Sequence, residues 1–202
     1  PIFAQSVPIL IAPANGVTTT ADLADHPPLG IPEFRWQPVP DATNYRLQVS
    51  GDIGFTTTIV NITTANTAHT PTDASKFADG TWYWRVRVER PLPSGEYSEI
   101  RSFDKQWATA DNQPELIAPL NETEIDFINQ PFSFSWQPVM GAAKYKLQIY
   151  SSPGGWATTI YTATTLAPTH QPKDKLANGT YYWRVVPVDP GNRDGTPSEE
   201  YT

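Results

Sequence analysis

Histidine, serine and carboxylate side chains are the groups from which a hydrolytic site would be built, one as nucleophile and another as base. The chain has three histidines: His26, and the pair His69 and His170, which stand two residues before a proline in corresponding loops, as turn residues would. No Gly-x-Ser-x-Gly sequence presents a nucleophilic serine, and the dispersed carboxylates do not indicate the paired acids of a glycosidase. We therefore predict no catalytic residues and a protein that is not an enzyme.

The segment Asp189–Gly195 is the nearest approach to a metal site, because it combines oxygen-bearing side chains with a glycine, as calcium loops do. Arg193 stands in its middle, however, and the EF-hand spacing is not met. The absence of cysteine excludes disulfides and thiolate zinc sites. We predict that this segment is a loop between the last two strands, and that the protein has no metal and no cofactor.

The charge balance narrows the classes of partner. A net charge of −7 argues against nucleic acid, whose phosphates require clustered lysine and arginine. No stretch approaches the roughly 20 apolar residues of a membrane-spanning helix. We therefore predict no nucleic-acid partner and no membrane span in this chain.

Several aromatic residues and sequons could face a ligand or carry a modification. Trp156 follows a loop whose counterpart ends in Phe55, so we interpret both as core residues and not as sugar-stacking groups. Trp107 has no counterpart, and we predict that it contacts the other domain or a partner. Asn-x-Ser/Thr sequons make three asparagines candidates for glycosylation: Asn61, Asn121 and Asn178.

The elements that hold these residues are revealed by comparing the chain with itself. The segment 34–50 matches 134–150 in nine of 17 residues, and 78–86 matches 177–185 in seven of nine. Within each copy the apolar residues alternate with polar ones, as in Tyr45, Leu47 and Val49, which is typical of strands with one buried face. With 21 prolines, a mostly helical protein is not expected. The sequence predicts an all-β protein made of two consecutive seven-stranded Greek-key β-sandwiches.

The two copies resemble fibronectin type III domains of the bacterial extracellular kind. The resemblance rests on an early Trp (Trp36, Trp136), a Tyr nine residues later (Tyr45, Tyr145) and the late strand Gly-Thr-aromatic-Tyr-Trp-Arg-Val. It implies an immunoglobulin-like sandwich and a corner tyrosine, which Tyr181 supplies in the second copy and Trp82 replaces in the first.

Two departures from the family pattern carry their own predictions. We expect the corner at Trp82 to be rebuilt, because an indole N–H does not copy a phenol. Pro187 stands inside the late strand, where it cannot donate to a ladder, so we expect a strand end or bulge there.

The domain prediction places an N-terminal extension at 1–7, the first fibronectin type III-like domain at 8–106, a linker at 107–113 and the second domain at 114–202. The chain begins at Pro1 and not at a methionine, so we expect a processed protein or a piece of a longer one. The last strand of the second domain is cut short relative to the first. We expect it to continue in a longer chain or to be completed by another subunit, with 1–7 as one candidate donor.

We predict a non-catalytic extracellular structural or adhesion module, secreted or at the cell surface, which is a spacer or assembly segment of a larger surface protein or filament. Protein partners or self-assembly through sheet edges follow from unpaired strand edges. The alternative is an accessory region of a secreted carbohydrate-active enzyme, which would bind polysaccharide or act as a spacer.

Overall fold

The structure is a computed structural model that describes residues 6–19, 31–91, 93–108, 112–125, 132–155, 158–173 and 176–202. The chain divides after Gln106 into two compact units, unit 1 (Pro1–Gln106) and unit 2 (Trp107–Thr202). In the described residues the named elements are β-strands, apart from one 3₁₀ helix at Ala74–Lys76. The predicted all-β fold class is therefore confirmed. No described helix is long and apolar enough to cross a membrane.

Unit 1 consists of two sheets. One has the strand order β1-β3-β6, and the other the order β2-β8-β7-β4-β5, in which β2 runs parallel to β8 and the other neighbours are antiparallel. The strands within the described residues are β1 (Leu10–Ala12), β2 (Val17–Thr19), β3 (Phe34–Trp36), β4 (Asn44–Ser50), β5 (Val60–Thr64), β6 (Ala68–His69), β7 (Gly80–Arg90) and β8 (Arg101–Lys105).

Unit 2 repeats this plan with the strand orders β9-β10-β13 and β12-β11-β14. Its central pair keeps the register of unit 1, because Leu147 faces Val185 as Leu47 faces Val86. Against the seven strands predicted for each domain, the described residues hold eight in unit 1 and six in unit 2: β9 (Leu116–Ala118), β10 (Phe134–Trp136), β11 (Lys144–Tyr150), β12 (Tyr161–Thr165), β13 (Thr169–His170) and β14 (Tyr182–Val188).

The core of each unit lies between its two sheets and is built by strand alternation. In β4 the inward residues Tyr45, Leu47 and Val49 are buried, whereas the intervening residues are only partly covered. They meet Phe34 and Trp36 from the other sheet in one apolar cluster. Burying a large apolar side chain contributes about 1.5–3 kcal/mol. The aromatic residues therefore hold each sandwich together without a disulfide.

The Trp and Tyr of the repeated motif form one structural device in both units. Trp36 packs edge-to-face on Tyr45 at 5.6 Å, and Trp136 packs on Tyr145 at 5.4 Å. The phenol oxygen of Tyr45 accepts a 2.8 Å hydrogen bond from the backbone N–H of Val39, which ties the turn between β3 and β4 to the core. The nine-residue spacing thus places the tyrosine beneath the loop that follows its tryptophan.

Pro187 pairs with Tyr145 of β11, and β14 ends one residue later, at Val188, close to the predicted strand end. The pairing is regular through this position, without the bulge that was the alternative. The backbone groups of alternate residues in β14 face away from β11, since the Pro187 carbonyl accepts from Gly195 N–H and the Val185 carbonyl accepts from Ser198 N–H. The missing N–H of the proline therefore removes no hydrogen bond from the β11–β14 ladder.

A buried serine anchors the late strand in each unit and gives a testable prediction. The Ser98 Oγ accepts from Val86 N–H at 3.0 Å and donates to the Glu99 carbonyl at 2.7 Å; Ser198 makes the same contacts with Val185 and Glu199. We expect Ser98→Ala to lower the free energy of unfolding by about 1–3 kcal/mol, because it leaves a buried N–H without its acceptor. Urea denaturation of the variant measures this loss.

The matched variant in the other unit is Ser198→Ala, and it should cost a similar amount. Ser94→Ala, at a residue that is only partly buried, serves as the control and should leave the urea midpoint unchanged. Equal midpoints for the Ser98 variant and the control would contradict the anchoring role.

Candidate interaction surfaces and the cleft of unit 2

An arginine stacked between two aromatic rings covers the outer face of the larger sheet in unit 1. The guanidinium carbon of Arg85 lies 4.0 Å from the ring centre of Phe55 and 3.9 Å from that of Tyr97. Its Nε also donates to Gln48 Oε1 at 3.0 Å. Phe55 was predicted to plug the core, but it is buried on this outer face beneath Arg85 and takes no part in the apolar cluster between the sheets. Its φ of +54° places the loop in the left-handed region at this point.

An ion-pair triad extends the same face. The Glu89 carboxylate accepts from Arg46 Nη2 at 2.7 Å and from Arg87 Nε at 3.0 Å. The hydrogen bond from Arg46, followed by that from Arg87, lowers the pKa of Glu89 to about 2. Both guanidinium groups therefore pair with a carboxylate of the same sheet.

This pKa shift predicts how stability depends on pH. Because the folded pKa of Glu89 lies below its unfolded value of about 4.3, the triad stabilises the fold above that value, and the stabilisation is lost as the pH falls toward 2. After allowance for solvent screening, we expect a contribution of about 1–2 kcal/mol at neutral pH. Unfolding of Glu89→Gln should be less dependent on pH between about 5 and 2 than unfolding of the unmodified chain. Parallel curves would contradict the assignment.

The outer face of unit 2 uses different aromatic contacts. Arg184 Nε donates to Gln148 Oε1 at 2.8 Å, which repeats the Arg85–Gln48 pair. Tyr182 stacks on the fully buried Tyr150 with ring centres 6.4 Å apart. Burial, with the nearby Glu200 carboxylate, raises the pKa of Tyr150. Cross-strand contacts therefore cover this face as well, and the partner of Tyr182 is a tyrosine.

The two histidines at equivalent positions of the two copies lie in short strands and not in turns. His69 in β6 faces Phe34, and His170 in β13 faces Phe134. Burial lowers the pKa of both rings. His170 Nε2 lies 2.7 Å from the hydroxyl of Tyr161, so this ring is held by a phenol and not by a carboxylate. His26 is outside the described residues, as is Trp156.

The Asp189–Gly195 segment forms a turn after β14, the last named strand in the described residues, so its place between two strands stays a prediction. Asp189 is buried, its Oδ1 accepts from Arg193 N–H at 2.7 Å, and its Oδ2 lies 3.6 Å from Arg193 Nη1. Asp194 pairs with Lys146 Nζ at 2.5 Å. Both carboxylates are therefore oriented toward cations of the protein itself. Among the described residues no group of three His, Asp or Glu is arranged to hold a metal ion.

Trp107, assigned to the linker by the sequence, belongs to unit 2 in the structure. Its side chain is only 4% exposed, and its indole N–H donates to the Arg193 carbonyl at 3.0 Å. The ring lies against Gly195, where an added Cβ would approach Trp107 Nε1 to 3.1 Å and Pro187 Cγ to 3.0 Å. Its described contacts are thus internal to unit 2, which leaves little of its surface to meet a partner.

The three sequon asparagines are all exposed. Asn61 lies on β5 and accepts from Arg46 Nη1, whereas Asn121 Oδ1 accepts from the backbone N–H of Thr202 at 2.8 Å. Asn178 lies in a turn at the rim of the cleft described below. Their glycosylation remains a prediction.

At the corner position, the two units have different side chains that make the same kind of hydrogen bond to the backbone. Trp82 Nε1 donates to the Ala78 carbonyl at 3.0 Å, and the Tyr181 hydroxyl donates to the Ala177 carbonyl at 2.7 Å. The expectation that the tryptophan would force a rebuilt corner is therefore wrong. An indole N–H reaches the carbonyl four residues earlier as a phenol does.

A cleft of about 1060 Å³ opens on unit 2, and the sequence predictions did not include it. One wall is the segment 122–125, the other is 176–183, and the floor holds Phe134 and Ile149. Thr202 lies at one end.

No protein-family model and no curated protein matches the chain. Similar solved structures include the FN1–FN3 domains of chicken CNTN1 (12% identity, TM-score 0.37, 98% of this chain and 63% of that one). Others are a two-domain fibronectin type III segment from chicken tenascin (14%, 0.36, 96% and 95%) and the fibronectin(III)-like modules of Clostridium thermocellum CbhA (13%, 0.34, 96% and 90%). This chain thus spans 63% of the CNTN1 chain's length.

These solved structures are all sets of fibronectin type III or fibronectin(III)-like domains, the kind that the sequence motifs resemble. The architecture itself is carried by the chain's own strands, registers and cores. Such sandwiches support many roles, so function has to be argued from the surfaces. The structure thus contains two all-β units, each with two sheets around one aromatic core.

Proposed function

We propose that this chain is a non-catalytic structural module of a secreted or cell-surface protein, and that it acts as a spacer or assembly segment. The observation that supports the proposal is the lateral pairing of polar side chains on the outer sheet faces. Arg85 binds Gln48 in unit 1, and Arg184 binds Gln148 in unit 2. A catalytic site would instead need polar groups that converge on a reacting atom.

The central strand pairs suit a module that carries load or sets a distance. Strand β4 pairs with β7 along seven residues, Asn44–Ser50, and β11 pairs with β14 along seven, Lys144–Tyr150. Antiparallel ladders of this length, backed by one buried aromatic core, resist local opening. Each unit thus has a long, well-packed central ladder.

The test is a turnover assay of the purified chain against a broad panel of chromogenic glycosides and peptides, and we expect no activity. Glu122 and Glu124 line the cleft of unit 2 and are the carboxylates best placed to contradict this. Turnover that is lost in Glu122→Gln or Glu124→Gln, and kept in Glu96→Gln outside the cleft, would overturn the proposal.

A second measurement separates a spacer from the alternative, an accessory region of a carbohydrate-active enzyme. The chain is sedimented with insoluble cellulose, chitin or xylan, and the spacer proposal predicts that it stays in the supernatant. Retention that is removed by Tyr182→Ala and unaffected by Glu96→Gln would favour polysaccharide binding.

A further inference from the structure

Strand β12 of unit 2 is an edge strand without the residues that usually protect one. It pairs with β11 on one side, and no strand in the described residues pairs with its other side. Edge strands in native proteins are commonly blocked by charged side chains or by proline. The segment 160–166 contains neither, and Thr162 and Thr164 are exposed. Nothing in this segment therefore prevents a further strand from pairing with it.

The strand pairing shows which backbone groups face that open side. The Val185 carbonyl of β14 accepts from Ser198 N–H, so the backbone of Val185 faces away from β11. Its partner Leu147 therefore faces β12, where it pairs with Ala163. Because the backbone direction alternates along a strand, the residues on either side of Ala163 direct their N–H and C=O groups away from β11.

Two large apolar side chains flank this edge at equal distances from Ala163. Ile160 stands three residues before it and Leu166 three residues after it, and their side chains are 48% and 81% exposed. The Ile160 N–H donates to the Ile149 carbonyl at 2.8 Å, which holds this residue beside the strand. Leu166 is the most exposed large apolar residue in the described part of the chain.

A second copy of β12, related by a two-fold axis at Ala163, matches these features together. In this antiparallel register Thr162 lies opposite Thr164 of the second copy, so their outward backbone groups exchange hydrogen bonds. Ile160 lies opposite Leu166 of the second copy, and the symmetry makes each pair occur twice. Threonine pairs across a ladder are also favourable.

The charges beside this edge do not oppose the pairing. Lys146 lies next to Thr164 in the sheet, and its Nζ is bound to the Asp194 carboxylate. The residue next to Thr162 is the neutral Gln148. Because Thr164 of one copy faces Thr162 of the other, each Lys146 is directed toward a Gln148 and not toward a second lysine.

The equivalent edge of unit 1, strand β5, lacks this combination. Asn61 stands where β12 has Thr162, and it accepts from Arg46 Nη1 at 2.9 Å. Ala65 takes the position of Leu166, and Ile59 packs against the core of unit 1. The edge of unit 1 thus has the same backbone without the exposed apolar flanks, which makes it an internal control.

We propose that this chain forms a two-fold symmetric dimer, in which β12 of one copy pairs antiparallel with β12 of a second copy about Ala163. The two β12-β11-β14 sheets then form one continuous sheet. This inference rests on the proposed function, because it names the contact by which an assembly segment associates. Its failure would leave the non-catalytic proposal standing, since the turnover assay decides that separately.

Sedimentation equilibrium of the full chain over a range of concentrations tests the contact. A small interface of this kind gives a monomer–dimer equilibrium in the micromolar range. Leu166→Ser should raise the Kd roughly a hundredfold, because each dimer loses two leucine contacts. Leu120→Ser, at a leucine outside β12 that is 68% exposed, is the matched control and should leave the Kd unchanged. Equal Kd values for the two variants would overturn the proposal. A chain that stays monomeric at millimolar concentration would also overturn it, and would leave the edge to a strand of another protein.

A charge exchange tests the register. Thr162→Glu combined with Thr164→Glu sets carboxylates opposite each other, so this variant should be monomeric, as should Thr162→Lys combined with Thr164→Lys. An equimolar mixture of the two should form a heterodimer, because each glutamate then faces a lysine. Asn61→Glu combined with Thr63→Glu changes the edge of unit 1 and should dimerise as the unmodified chain does. A mixture that stays monomeric, or a glutamate variant that dimerises alone, would overturn the proposal.

Discussion

Replacing Phe103 with alanine should lower the free energy of unfolding of unit 1 by about 3–5 kcal/mol, the range for removal of a buried aromatic ring. Phe103 is fully buried and contacts the rings of Phe34 and Phe77 from the middle of a strand that is paired on both sides. Urea denaturation, followed through the NMR signals of backbone amides in β4 and β7, measures the loss.

Two variants calibrate this result. Phe103→Leu keeps most of the apolar volume and should cost about half as much. Ser102→Ala alters the neighbouring residue of the same strand, whose side chain is only partly buried, and should stay within about 0.5 kcal/mol of the unmodified chain. A loss of less than about 1 kcal/mol for Phe103→Ala would contradict the packing described for β8.

Replacing Trp107 with alanine should destabilise unit 2 by about 3–5 kcal/mol. The residue was first interpreted as a contact to another domain or partner, but its indole is buried within unit 2 and donates to Arg193. An internal role predicts that stability falls whether or not a partner is present. Thermal unfolding of unit 2, followed through the NMR signals of backbone amides in β11 and β14, measures this loss of stability.

Trp107→Phe serves as the graded control, because it retains a ring and loses the hydrogen bond, and it should cost about 1–2 kcal/mol. Gly195→Ala tests the same contact from the other side, since the new Cβ meets Trp107 and Pro187 at 3.0–3.1 Å. A Trp107→Ala variant that unfolds like the unmodified chain but no longer associates with other molecules would restore the original interpretation.

Much of the fold was accessible from the sequence because its signals are local and duplicated. The alternation of Tyr45, Leu47 and Val49 identified a half-buried strand, and the second copy repeated it at Tyr145. Pro187 shows what local reasoning leaves out. Its cost depends on which neighbour its backbone nitrogen faces, and this is set by strand pairing and not by the residue.

The surfaces were harder to predict, because their contacts join residues far apart in sequence. Phe55 was assigned to the core since both copies have an aromatic residue there, yet it lies under Arg85, thirty residues away, on the opposite face of the sheet. Trp107 lies outside the two matched segments of the repeat, so the duplication could not place it against Gly195.

Hydrogen exchange of two equivalent backbone amides tests the central claim most directly. Val86 N–H in unit 1 and Val185 N–H in unit 2 each donate to the hydroxyl of a buried serine beside the central strand pair. If both units are well-packed structural modules, both amides exchange at least about a hundredfold more slowly than the exposed amides of the same chain, since a packed core strand opens only at a free-energy cost near that of global unfolding. Exchange of either amide at the rate of an exposed one would contradict this account.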